Sequence, residues 1–108
     1  MFDSGNMTTV LGAGTMGAGI AQSLADHGFR VTLCDVDSQA LERARDRIAV
    51  SRRTLESAGL QTHAQSVLGA SLLTTSCLVE DVAPQSDLII ESISENLEGK
   101  TDVFRQLD

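Results

Sequence analysis

Gly12-Ala13-Gly14-Thr15-Met16-Gly17 has the form G-x-G-x-x-G, and its meaning depends on what flanks it. Before it, Met7-Thr8-Thr9-Val10-Leu11 is a short β-prone run. After it, Met16, Ile20 and Leu24 recur at every fourth position with Ala21 and Ala25 beside them, which predicts one apolar helical stripe. Between a strand and a helix each glycine has a mechanical task. Gly12 permits the tight turn, Gly14 lets a diphosphate approach the backbone, and Gly17 lets the helix lie close to the strands. The first-turn N–H groups of such a helix have no intrahelical acceptor, and with the helix dipole they favour an anion.

Working outward, Gly28 after His27 is a natural left-handed helix stop. Val31-Thr32-Leu33-Cys34 then reads as a second, buried strand. Asp35 follows it, 18 residues after Gly17, where a carboxylate can accept hydrogen bonds from the adenosine ribose of a dinucleotide. A 2′-phosphate would be repelled there, and Val36 and Asp37 offer no arginine to receive one. NAD is therefore expected over NADP.

Asp37 or Ser38 is placed to cap a longer helix with Leu41, Ala44, Ile48 and Leu55 on its inner face, ended by Gly59. Residues 60–69 are weakly patterned, open to a helix, a turn or both. Leu72–Thr75 predicts a third strand and Leu78–Val82 a short helix ended by Pro84. Asp87–Glu91 predicts a fourth strand, and Leu97–Leu107 returns to helical spacing. Strands alternating with helices require crossover connections, so the fold class is α/β: a Rossmann-type parallel sheet with helices on both faces, incomplete at about four strands.

Composition narrows the function. The chain has 108 residues, enough for one domain, and a net charge of −7 that disfavours nucleic acid and anionic membranes as partners. Its three aromatic residues are all Phe, too few for a base-stacking platform. Cys34 and Cys77 lack metal-ligand spacing, no export signal opens the chain, and no apolar run approaches a membrane span. A reduced, cytoplasmic setting is expected. Five of the eight basic residues (Arg43, Arg45, Arg47, Arg52 and Arg53) fall within eleven positions. His27 and His63 read as structural or solvated, neither near an acidic partner in a way that suggests a general base.

Two stretches carry a more specific likeness. Gly12 to Gln22 (GAGTMGAGIAQ) and Asp87 to Lys100 (DLIIESISENLEGK) closely resemble two signatures of the 3-hydroxyacyl-CoA dehydrogenase family, and the likeness runs from about Met7 to the last residue. The resemblance implies Gly12, Ala13, Gly14, Thr15, Met16 and Gly17 at the pyrophosphate and Asp35 at the adenosine ribose. It implies Glu95 and Lys100 near the nicotinamide, against a simple surface pair on a helix. It puts Ser51 where a coenzyme A-contacting serine is expected, which would give the arginines phosphates to hold. Ala58 stands where the resemblance implies a lysine, and a solvated helix face balanced by Glu42, Asp46 and Glu56 is the other reading of the cluster.

The resemblance also implies an acyl-CoA substrate, reversible hydride transfer with NAD in fatty-acid metabolism, and a homo-oligomer in the complete enzyme. The family's base, a histidine paired with a glutamate, falls beyond Asp108. Residues 1–108 are thus expected to be the amino-terminal part of an NAD-binding domain, without the substrate and dimerisation domain and inactive alone. A non-catalytic NAD-binding module, or a dehydrogenase of a 3-hydroxy acid, a diketone or a carrier-bound acyl group, are the alternatives.

Overall fold

A computed structural model describes residues 6–77 and 86–92. The elements run β1 (Met7–Leu11), α1 (Thr15–Asp26), β2 (Arg30–Cys34), α2 (Ser38–Ser57), α3 (His63–Leu72), β3 (Leu73–Ser76) and β4 (Leu88–Glu91). All four strands are parallel, in the order β3-β2-β1-β4. Thr8 pairs with Val31 and Leu88, and Val10 with Leu33 and Ile90. The expected four-stranded Rossmann-type sheet is therefore present. The helices expected over 78–82 and 97–107 lie outside the described residues.

The order reflects connection handedness. Right-handed crossovers through α1 and then through α2 and α3 carry the chain steadily to one side of β1. After β3 the chain returns to the other side of β1, so the direction of winding reverses between β1 and β4. That reversal leaves a crevice at the carboxyl ends of these two strands.

The core is aliphatic, as three aromatics require. Val10, Val31 and Leu33 on the sheet meet Ala18, Ala21 and Ala25 of α1 and Leu41, Ala44 and Ile48 of α2. One expectation is corrected here. Met16 is 71% exposed, and Ile20 and Leu24 are only partly buried. The buried face of α1 is instead Gly17, Ala18, Ala21, Gln22 and Ala25, because small side chains bring its axis close to the sheet.

Helix ends follow their chemistry. Gly28 and Gly59 have φ of 98° and 73°, left-handed values that suit glycine after a helix. Asp37 caps α2 by accepting from Gln39 N at 2.9 Å. The weakly patterned stretch resolves into α3, opened by a reciprocal capping box between Thr62 and Gln65. The third strand begins at Leu73 rather than Leu72.

Thr8 carries an unmet demand. It is fully buried, and its Oγ1 has no hydrogen-bond partner among the described residues. Replacing the hydroxyl by a methyl removes that desolvation cost at constant shape, so Thr8→Val is expected to stabilise the chain by about 1 kcal/mol. A thermal melt checks this, and a lowered midpoint contradicts it.

Candidate functional site

The glycine loop lies at the winding reversal. Gly12 has φ 102°, so the turn out of β1 uses the conformational freedom expected of it. A Cβ on Gly17 would overlap the Gly12 carbonyl oxygen and lie 3.5 Å from Ser92 Cβ, so α1 does press against the turn as expected. Gly14 differs: a Cβ there would meet nothing within 4 Å. Its missing side chain leaves open space in front of the backbone rather than relieving a clash.

Gly14 is also the N-cap of α1, with φ −74° and ψ −170° and no side-chain cap, and the first turn carries no acidic residue. The leading amides of α1 are thus left to an external acceptor. An exposed helix start with open space before it fits a diphosphate. Thr15 and Met16 are exposed beside it, and Ala13 is buried beneath.

Asp35 is half-buried at the end of β2 and does more than its position foretold. Its Oδ2 accepts from Ala13 N at 2.9 Å, and its Oδ1 accepts from Asp37 N at 2.9 Å. The carboxylate therefore braces the glycine loop against the start of α2. Each oxygen has a second lone pair, so capacity to accept from ribose hydroxyls remains. The residue before it, Cys34, is buried, and its thiol is pushed up to about 11 by burial and by the Asp35 carboxylate. It is protonated and unreactive at neutral pH.

Ser51, on α2, is half-buried at a cavity of about 270 Å³ between α1 and α2, lined also by Thr15, Gln22 and Arg47. Gln22 Nε2 donates to Ser51 Oγ at 3.0 Å. The arginine cluster disperses. Arg52 makes a two-nitrogen ion pair with Asp26 of α1, Arg45 bonds Thr75 of β3, and Arg43 approaches Asp37 at 3.8 Å. Arg47 makes no hydrogen bond or ion pair among the described residues. Glu95 and Lys100 lie outside the described residues.

The histidines stand away from the crevice. His27 Nδ1 bonds the Ser23 carbonyl at 2.6 Å at the far end of α1, about 18 Å from the loop at helical rise. His63 is exposed, as expected, and Glu56 lies 2.9 Å from its Nδ1. The pair sits at the trailing end of α2, away from the glycine loop. Composition concealed a further cluster: Asp26, 3% exposed, accepts from Arg52 and from Gln61 at 2.9 Å, and Gln61 also donates to Ser66 at 3.0 Å. Among the described residues no His, Cys, Asp or Glu group could hold a metal, and no helix is long and apolar enough to cross a membrane.

Comparison with known proteins agrees with this geometry. Residues 7–108 match the family model described as the 3-hydroxyacyl-CoA dehydrogenase, NAD binding domain. A probable 3-hydroxybutyryl-CoA dehydrogenase of Bacillus subtilis is 38% identical over 101 residues, covering 92% of this chain and 34% of that protein. The 5-formyl-3-hydroxy-2-methylpyridine 4-carboxylate 5-dehydrogenase of Mesorhizobium japonicum is 36% identical, over 92% of this chain and 31% of its own length. The crystal structure of 3-hydroxybutyryl-CoA dehydrogenase from Escherichia coli superposes with a TM-score of 0.83 at 37% identity, covering 94% of this chain and 21% of that one. The chain thus spans about a third or less of the relatives it matches. With a glycine loop, a strand-end carboxylate and a parallel sheet reversing at β1, it belongs to the 3-hydroxyacyl-CoA dehydrogenase family, as part of that family's NAD-binding domain.

Proposed function

We propose that this chain is the cofactor-holding portion of a dehydrogenase that interconverts 3-hydroxyacyl-CoA and its 3-oxo form in fatty-acid metabolism. The observation that carries this is the glycine loop, its open face at Gly14 and its brace from Asp35, all at the winding reversal of the sheet. Bound there, NAD would supply the hydride acceptor or donor. The amides opening α1 hold the pyrophosphate, Gly12 to Gly17 shape its bed, and Asp35 takes the adenosine ribose. To Glu95 and Lys100 we assign contacts with the nicotinamide side, and to Ser51 a contact with coenzyme A, as the family resemblance implies.

The task of this portion is to hold and orient the cofactor. Residues 1–108 are then the amino-terminal part of a domain whose substrate and dimerisation partner belongs to a longer, homo-oligomeric cytoplasmic protein. The Mesorhizobium relative favours a second reading, because its name gives a pyridine carboxylate rather than a thioester as substrate. Ser51 separates the two: its replacement weakens coenzyme A binding in the first reading and leaves it unchanged in the second.

Calorimetry tests the Asp35 role. NADH should bind at least about tenfold more tightly than NADPH, because the carboxylate both loses a ribose bond and meets a phosphate charge in the latter. Asp35→Ala should narrow that ratio while weakening NADH. Equal affinities in the unaltered chain sink the assignment.

A further inference from the structure

The α1–α2 seam carries two polar contacts, one helical turn apart on α1 and from adjacent residues on α2. Gln22 meets Ser51, and Asp26 meets Arg52. The second is a closed ion pair. The first leaves something over, and its direction decides what.

Gln22 is 8% exposed and its amide nitrogen is the donor, so Ser51 Oγ accepts and its own proton is uncommitted. Hydroxyls on helices commonly give that proton back to a carbonyl in the preceding turn. Thr54 does so to Val50 at 3.0 Å, and Ser71 to Leu68 at 2.7 Å. Ser51 makes no such bond. It stands at the cavity together with Thr15 and with Arg47, whose guanidinium is unpaired among the described residues. No acidic residue lines that cavity. Its polar lining, Thr15, Gln22, Arg47 and Ser51, offers donors beside the apolar Ala18, Gly19 and Ile48, which suits a ligand that carries acceptors as well as apolar surface.

We infer that Gln22 is a positioning residue: by donating to Ser51 it holds the hydroxyl as a donor toward a phosphate or amide oxygen of the coenzyme A moiety. This rests on the proposed acyl-CoA reading of the site. Arg47, one turn earlier on α2, supplies charge to the same ligand. Gln22 acts on the ligand through Ser51.

The test is a double-mutant cycle on the full chain, with coenzyme A and NADH titrated separately and thermal midpoints recorded. Gln22→Met keeps the volume and removes the donor. It is expected to weaken coenzyme A by about fivefold, the scale of one hydrogen bond, with NADH affinity unchanged. Ser51→Ala should weaken coenzyme A by at least as much, and Gln22→Met added to it should cost nothing further. Gln22→Glu, which would turn the Ser51 proton away from the cavity, should likewise lose its effect in the Ser51→Ala background. Independent, additive losses overturn the positioning role, as does a Gln22→Met chain that binds coenzyme A normally. If Ser51→Ala leaves coenzyme A affinity unchanged, or the unaltered chain binds no coenzyme A, the acyl-CoA reading is what fails.

Discussion

Gly17→Ala is expected to cost about 3 kcal/mol of stability and to abolish NADH binding, whereas Gly14→Ala should abolish binding while leaving stability nearly intact. The two glycines are three positions apart in one motif, yet their surroundings are opposite. A methyl on Gly17 drives into the Gly12 carbonyl oxygen, and that oxygen belongs to backbone already held by β1. Neither partner can yield without lifting α1 from the sheet, which also opens the contacts of Ala18 and Ala21 with Val10. A methyl on Gly14 meets no protein atom and sits at an extended φ of −74° that alanine adopts readily. It occupies only the space before the helix start, where the proposed site puts the diphosphate. Denaturant unfolding alongside NADH titration separates the two. A Gly14→Ala chain that binds NADH normally removes the loop from the cofactor site.

Arg52→Ala is expected to destabilise the chain by about 3 to 5 kcal/mol. Asp26 is 3% exposed, and the guanidinium gives it bonds of 2.8 and 3.0 Å. Truncating Arg52 leaves a buried carboxylate with Gln61 as its remaining side-chain donor. The loss should spread to α3, because Gly69 is packed so tightly on Asp26 that a Cβ there would overlap the carboxylate. Replacing both partners by apolar residues (Asp26→Leu with Arg52→Met) should cost far less, since no charge is then stranded. Equal losses from the single and double changes would mean that packing, not charge, is responsible.

The loop and its acidic partner were legible because their chemistry is local. Gly12, Gly17 and Asp35 are set by a turn, a close approach and a strand end, and each leaves a mark at its own position. The face of α1 was not. Periodicity gives weight to large residues, so it selected Met16, Ile20 and Leu24, but a helix lying close to a sheet buries its small ones. α3 hid for a related reason. It buries Ser66 and Gly69 and exposes Val67 and Leu68, an inverted pattern that follows from packing against Asp26, Arg52 and Gln61 instead of against apolar side chains. The Thr62–Gln65 capping box was the signal available there. The arginines showed their number but not their partners, because Asp26 and Thr75 come from other elements.

The strand order also governs how the molecule assembles. β1 is made first and pairs on one side with β2, whose register partners are 23 residues away (Met7 with Arg30), and on the other with β4, 80 residues on (Thr8 with Leu88). During synthesis β3, β2 and β1 can zip together while one flank of β1 stays open, and it closes only when β4 emerges. Closing the longer loop costs more chain entropy, though only logarithmically more. Contacts of such long range also slow folding. The nascent chain therefore carries its cofactor crevice half-built, with the most buried strand of the finished sheet serving for a time as its edge and its point of vulnerability to aggregation.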